Sequence, residues 1–270
     1  MSELNLQSTA RLLSVLIPSS SLILELGRTI PLLGLGVYQN RDNCASACLA
    51  ALKAGYRHID SAQYYPSKVV SWNQGYEKTI AGVNESLQNF GLNYLDLFLI
   101  HDPLAGKEKR LATWKALIAL RDEGKLLNIG VSNYGVHHLE EIKSAGLETP
   151  SINQIELHPW CQQKPIVEYC KKNGIVVQAY SPLVQARSGF MDHPVLVEIA
   201  KKHGKESAQV LIRWSLQMGH VVLPKSEKES RIISNADIYD FTLDEEDMFK
   251  LNALDLGDKG AVDWNPVNAS

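Results

Sequence analysis

The chain has 270 residues, of which 45% are hydrophobic and 21% are charged, and its formal net charge is −3. This composition excludes an intrinsically disordered chain, and the lack of a basic excess argues against a partner that is nucleic acid or a membrane surface. The four cysteines are too few for a disulfide scaffold, and the first pair does not have the spacing of common zinc knuckles. No metal site is therefore predicted.

The N-terminal segment carries one short apolar run, Leu12 to Ile17, which Pro18 interrupts. This run is far shorter than the roughly 20 residues that span a bilayer, and it lacks the flanking pattern of a signal peptide. We therefore predict a loosely ordered extension over residues 1–21, a single domain over residues 22–270, no membrane association and a cytoplasmic location.

From about residue 22 the sequence alternates strand-like and helix-like segments. The first two, SLILEL and RTIPLLGLG, predict a hairpin that leads into a strand ending near Gly36. A helix follows over NCASACLAALKAG, with Gly55 as its C-cap, and a second strand follows over YRHIDSA. The next helix is predicted over QGYEKTIAGVNESLQNFG, because its apolar residues recur every three or four positions.

Further strands and helices alternate to the end of the chain, and this order predicts an α/β domain with a parallel sheet. Polar and ionisable residues crowd at the carboxyl ends of the strands, where a TIM barrel carries its chemistry. These residues are Asp60, His101, Ser132, Asn133, Gln154, Tyr180 and Lys225. No G-x-G-x-x-G turn opens a helix after the first strand, so a barrel is favoured over a doubly wound sheet.

The number of predicted strands is seven, one fewer than a (β/α)8 barrel requires. They start near residues 33, 56, 95, 127, 152, 175 and 220, and the last interval contains an extra helix over HPVLVEIAKKHG. Between Ala62 and Trp72 there is no room for another strand–helix–strand step, because a crossover needs at least about 10–12 residues. The sequence predicts a barrel with one unit missing.

Several stretches, in this order, resemble the aldo-keto reductase family: IPLLGLGVY, AGYRHIDSAQYY, WNQGYEKTIAGVNESLQNFGLNYLDLFLIHDP, EGKLLNIGVSNY, INQIELHPW, VVQAYSPL and LPKSEKESRIISNADIYDFTLDEEDM. The resemblance extends from about residue 22 to the end of the sequence. It implies a TIM-type (β/α)8 barrel that reduces aldehydes and ketones, usually with NADPH as the cofactor.

The resemblance also implies a catalytic tetrad of Asp60, Tyr65, Lys68 and His101. Tyr65, rather than Tyr64, matches the proton donor, because it follows Asp60 at the family's five-residue distance. A phenol with a pKa of about 10 is a poor acid at neutral pH, but an adjacent ammonium lowers that pKa. A different barrel chemistry, with Lys68 as a Schiff-base lysine, is an alternative that the nucleotide-binding motifs disfavour.

The chain departs from the family between Asp60 and Lys68, which are eight residues apart. By comparison with the family, about 26 residues are absent here, which is the length of one helix, one strand and their connections. The missing elements are the second helix and the third strand of the barrel. A skipped exon or a gene-model error would produce this pattern, so an alternative function is a catalytically impaired or inactive variant that binds NADPH.

The cofactor residues that the resemblance implies are present. The nicotinamide carboxamide would be hydrogen-bonded by Ser132, Asn133 and Gln154, and its ring would stack on Tyr180. The adenosine 2′-phosphate would be held by Lys225, Ser226 and Arg231, and the adenine would lie near Asn235. Ser234 stands where relatives usually carry Glu or Gln, which weakens the adenine contact. A Lys, a Ser and an Arg suit a dianion, so the pattern favours NADPH over NADH.

The substrate is expected to be a small-molecule carbonyl compound. Tyr38, Trp72 and Trp160 are predicted to line the mouth of the site, which suits an apolar or aromatic substrate. We predict a monomer.

Overall fold

The computed structural model describes residues 20–24, 27–40, 42–61 and 70–270. Most of the predicted N-terminal extension, and the predicted catalytic residues Tyr65 and Lys68, lie outside the described residues. Within the described ranges, no helix combines the length and the apolar character needed to cross a bilayer.

The described chain opens with the predicted hairpin, in which strand β1 (Ser21–Ile23) pairs antiparallel with strand β2 (Thr29–Pro31). Ile30 in β2 is buried, and the guanidinium of Arg28 donates a hydrogen bond to the carbonyl of Leu127. Since Leu127 is the second residue of a later strand, this bond places the hairpin beside the amino end of that strand.

The remaining strands and helices follow, with two helices in succession after β8 and again after β9. The strands are β3 (Leu35–Gly36), β4 (Ile59–Asp60), β5 (Leu95–Ile100), β6 (Leu126–Ser132), β7 (Ile152–Glu156), β8 (Val176–Tyr180) and β9 (Val221–Val222). The helices are α1 (Cys44–Lys53), α2 (Tyr76–Phe90), α3 (Lys107–Asp122), α4 (Val136–Ser144), α5 (Lys164–Lys172), α6 (Pro194–His203), α7 (Ser207–Gln217), α8 (Glu229–Ala236) and α9 (Glu245–Asn252). Helix α6 is the extra helix that the sequence predicted.

The strands from β3 to β9 form a parallel arrangement with the order β4-β3-β9-β8-β7-β6-β5. Ladders join β3 to β4 and connect β5 through β9 in sequence. Single parallel bridges from Leu33 to Val222 and from Gly36 to Lys225 join β3 to β9. In the described part of the chain no ladder joins β4 to β5, and we call this position the seam.

The strands alternate between two apolar layers, as the two-residue period of a strand requires. In β5, Phe98 and Ile100 pack in the layer between the sheet and the helices, while Leu99 faces the barrel interior together with Ile152. Gly130 in β6 has no room for a side chain, because a Cβ there would lie 2.7 Å from the Ile152 carbonyl oxygen. A larger residue at position 130 would therefore clash with β7 beneath the site.

Candidate active site

A cavity of about 1510 Å³ lies at the carboxyl ends of the parallel strands. Its lining includes every predicted site residue that the structure describes: Asp60, His101, Ser132, Asn133, Gln154, Tyr180, Lys225, Ser226, Arg231 and Asn235. Residues spread over 176 positions of sequence come together because parallel strands end at one edge of a barrel.

Hydrogen bonds connect the predicted catalytic Asp60 to the predicted carboxamide-binding residues. The Gln154 side-chain Nε2 donates to Asp60 Oδ1 at 3.0 Å. The Gln154 backbone carbonyl accepts two further bonds, from Ser132 Oγ at 2.9 Å and from the Asn133 backbone N–H at 2.8 Å. Gln154 therefore joins the end of β4 to the end of β6 across the floor of the cavity.

Asn133 provides a second link, to His101. Its side-chain Nδ2 donates to the His101 backbone carbonyl at 3.1 Å, and its Oδ1 accepts a bond from the Tyr180 hydroxyl at 2.9 Å. Asn133 has a φ of 60°, a left-handed conformation that Asn tolerates better than most residues. Burial raises the pKa of Tyr180 well above its ordinary value, so this phenol keeps its proton and positions Asn133.

Tyr65 and Lys68 lie in sequence between Asp60 and Val70, and these two described residues both line the cavity. Asp102, next to His101, holds Ser71 at the cavity, because its Oδ2 accepts a bond from the Ser71 N–H at 3.1 Å. Asp102 is only 3% exposed, and burial raises its pKa. Sequence reasoning missed Asp102, although its position immediately after a strand-end histidine was a usable signal.

A buried carboxylate fixes the C-terminal part of the cavity rim. Glu156, at the end of β7, is 0% exposed, and it accepts bonds from the Val262 N–H at 2.5 Å and the Asp263 N–H at 3.1 Å. The Tyr180 hydroxyl is also 3.1 Å from the Trp264 carbonyl. Trp264 is 48% exposed at the rim of the cavity, so these bonds place an aromatic ring beside the opening.

The other end of the cavity holds cationic and polar groups. Arg231 and Asn235 are four residues apart on α8, which places them on one face of the helix, next to Lys225 and Ser226 in the preceding loop. An ammonium, a guanidinium and a hydroxyl at one end suit a phosphate, and the amides near Tyr180 at the other end suit a carboxamide. This donor set and the size of the cavity fit a nicotinamide dinucleotide.

The aromatic residues that were predicted for the mouth divide into two groups. Tyr38 and Trp72 line the cavity and are 50% and 61% exposed. The prediction for Trp160 is wrong, because this residue is 4% exposed and its ring packs on Phe190 at 5.0 Å. Gly260 lies directly against the Trp160 carbonyl, so the C-terminal segment packs on the backbone of this residue.

Sequence comparison shows the family of this chain. The model of the aldo/keto reductase family matches residues 67–256. The glyoxal reductase of Bacillus subtilis is 44% identical over 257 residues, with 86% of this chain and 92% of that protein covered. The 9,11-endoperoxide prostaglandin H2 reductase of Trypanosoma cruzi is 43% identical, with 83% of this chain and 88% of that protein covered.

Solved structures agree with the sequence matches. MGS-M4, an aldo-keto reductase enzyme from a Medee basin deep-sea metagenome library, superposes with a TM-score of 0.84 at 38% identity, covering 88% of this chain and 96% of that one. The aldo/keto reductase from Brucella melitensis gives a TM-score of 0.82 at 39% identity, covering 88% of this chain and 100% of that one. The chain therefore belongs to the aldo-keto reductase family of oxidoreductases and has the (β/α)8 barrel fold of that family.

Proposed function

We propose that this protein reduces aldehydes and ketones to alcohols with NADPH, and that Tyr65 donates the proton. The observation that carries the proposal is the hydrogen-bond network at the cavity floor, which links Asp60 to Gln154 and His101 to Asn133. One network thus joins two members of the implied tetrad to the residues that would hold the nicotinamide. A monomeric state, a small carbonyl substrate and a cytoplasmic location remain predictions from the sequence.

The proposed chemistry divides between the cofactor and the protein. The nicotinamide, when bound, supplies a hydride to the carbonyl carbon. His101 would orient the carbonyl, and Tyr65 would give its proton to the carbonyl oxygen. The ammonium of Lys68, held by Asp60, would lower the pKa of the Tyr65 phenol and make this proton transfer possible near neutral pH.

The binding residues would fix the cofactor along the cavity. Ser132, Asn133 and Gln154 would hold the carboxamide, and Tyr180 would pack on the ring. At the other end, Lys225, Ser226 and Arg231 would hold the 2′-phosphate and Asn235 would contact the adenine. The cationic residues support NADPH as the preferred cofactor, because NADH has only a hydroxyl at this position.

We also infer that the barrel lacks the second helix and third strand of its relatives, at the seam. The eight-residue interval from Asp60 to Lys68 supports this, as does the missing ladder between β4 and β5 in the described residues. The glyoxal reductase match runs over 257 residues, whereas 86% of this 270-residue chain is about 232, and this difference of about 25 positions supports the same inference. Lys68 would then reach the site from a loop instead of a strand.

This loop position predicts weaker catalysis than in a complete barrel. Tyr65 must come within about 2.6–3.2 Å of the substrate oxygen, and a displacement of about 1 Å can lower a rate about 100-fold. The alternative function, a protein that binds NADPH without turnover, is the limiting case of this effect.

Three proteins test the proposal: the wild type, Tyr65→Phe, and a variant with a family-like helix–strand insert after Tyr65. Each is assayed with NADPH and 4-nitrobenzaldehyde, and NADPH binding is measured in parallel by nicotinamide fluorescence. We expect slow wild-type turnover, loss of turnover in Tyr65→Phe with binding retained, and faster turnover with the insert. Wild-type turnover equal to that of the insert variant would show that the missing segment is dispensable. Turnover that persists in Tyr65→Phe would reject the proton donor.

A further inference from the structure

An acidic side chain lies among the cationic residues at the phosphate end of the cavity. Glu227 follows Lys225 and Ser226 in the loop between β9 and α8, and it lines the cavity. Its Oε1 lies 2.5 Å from the Lys225 Nζ, and the side chains of both residues are 38% exposed. In this structure the partner of the Lys225 ammonium is therefore a carboxylate of the same loop.

A second contact holds this carboxylate over the cavity. The Glu227 carboxylate also lies near the side chain of Asn43, which precedes α1 and lines the same cavity. Both Lys225 and Asn43 favour the charged form of Glu227 and lower its pKa, so the residue carries its full negative charge at neutral pH. The charged carboxylate therefore lies at the phosphate end of the cavity, paired with Lys225.

We propose that Glu227 is a specificity-determining residue that competes with the cofactor 2′-phosphate for Lys225 and so reduces the preference for NADPH over NADH. The inference rests on the proposed function, in which Lys225 and Arg231 hold that phosphate. To bind it, the protein must break the Lys225–Glu227 pair or tolerate a carboxylate beside a dianion, and both lower the affinity. The 2′-hydroxyl of NADH meets neither obstacle, and a carboxylate can accept a hydrogen bond from it.

The size of the effect follows from the charges. A carboxylate about 5 Å from a partly solvated dianion lowers its affinity by about tenfold at low salt, and screening reduces this at high salt. Glu227 would therefore oppose the selectivity that Lys225 and Arg231 create without reversing it.

The test is Glu227→Gln, which removes the charge and preserves the shape of the side chain. Glu229→Gln is the matched control, since Glu229 is exposed in the first turn of α8 and does not line the cavity. Dissociation constants are measured for NADPH and NADH, and calorimetry compares adenosine 2′,5′-bisphosphate with AMP as probes of the phosphate end alone. We expect Glu227→Gln to bind NADPH and the bisphosphate about tenfold more tightly, to bind NADH and AMP within twofold of the wild type, and to lose most of this gain at high salt.

The outcomes separate this inference from the proposed function. If the wild type binds the bisphosphate no more tightly than AMP, the phosphate assignment fails, and the inference fails with it. If the wild type prefers the bisphosphate but Glu227→Gln leaves that preference unchanged, the proposed function stands and the competition is refuted. Equal tightening of NADPH and NADH, or the same gain in Glu229→Gln, would also reject a specific role for Glu227.

Discussion

Replacing Glu156 with alanine should destabilise the protein and loosen the rim of the cavity. The buried carboxylate accepts bonds from the N–H groups of Val262 and Asp263, and it lies 2.9 Å from His158 Nε2. Alanine leaves these donors without an acceptor, at about 1–3 kcal/mol for each buried group. Val262 and His158 are 4% and 1% exposed, so water cannot readily replace the lost bonds. We expect a loss of about 3–5 kcal/mol in the free energy of unfolding, a large part of the 5–15 kcal/mol typical of a domain.

The same substitution should affect substrate binding more than cofactor binding. The anchored segment carries Trp264 at the rim, while Lys225 and Arg231 lie at the other end of the cavity. In kinetic assays with an aromatic aldehyde, KM for the aldehyde should therefore rise several-fold more than the dissociation constant for NADPH. Glu156→Gln retains one acceptor oxygen and should show a smaller loss of both stability and affinity.

Urea unfolding followed by tryptophan fluorescence measures the free energy of unfolding of Glu156→Ala. Glu198→Ala is the control, because Glu198 forms an exposed ion pair with Lys250 at 3.0 Å, and such pairs contribute about 0–1 kcal/mol. If Glu156→Ala lost no more stability than Glu198→Ala, or if KM for the aldehyde were unchanged, the view of Glu156 as the anchor of the rim would be refuted.

Two further predictions concern the phosphate end and the barrel core. Arg231→Ala should weaken NADPH binding about tenfold or more, because it removes a charge-assisted contact worth about 1.5–3 kcal/mol, and it should leave NADH binding nearly unchanged. Equal weakening of both cofactors would reject the phosphate assignment. His220 is buried near Trp214, and burial lowers its pKa from 6.5 to about 4, so the unfolded chain takes up the proton first as the pH falls. The free energy of unfolding therefore contains the full contribution of neutral His220 above pH 6.5. As the pH falls towards 4 this contribution is lost, and the loss is about 2–3 kcal/mol at pH 4.5. His220→Leu should therefore lose less stability than the wild type between pH 7 and pH 4.5 in urea titrations, and parallel losses would contradict this assignment.

The order of the elements could be predicted because their patterns are local. The hairpin, the parallel strands and the extra helix α6 all lie where apolar periodicity and turn residues indicated. The strand-end part of the cavity lining followed from one topological rule, that parallel strands present their carboxyl ends at the same edge, whereas Ser226, Arg231 and Asn235 followed from the family resemblance alone. That rule brought His101 and Gln154 together without any knowledge of their contacts.

The contacts of the rim could not be predicted in this way. Glu156 meets Val262 across 106 residues of sequence, and no local pattern shows which carboxylate turns towards which loop. Its position two residues after Gln154 did place both side chains on the interior face of β7, a signal that was available but unused. The prediction for Trp160 was wrong for the same reason, because its ring is buried against Phe190, a contact across 30 residues of sequence that no local pattern shows.

The residues of the candidate site lie on strands that differ in how they are paired in the sheet. Ser132, Gln154 and Tyr180 extend from β6, β7 and β8, which continuous ladders join, so the nicotinamide end rests on sheet that the seam does not interrupt. Asp60 and His101 end the two strands that flank the seam, and in the described residues no ladder joins those strands. Each of these strands is held by a ladder on one side only, β4 by β3 and β5 by β6, and a side-chain bond adds support, to Asp60 from Gln154 and to His101 from Asn133. Since a side-chain bond fixes a strand end less firmly than a ladder does, the proposed loss of a strand should affect the alignment of the reacting groups more than the binding of the cofactor.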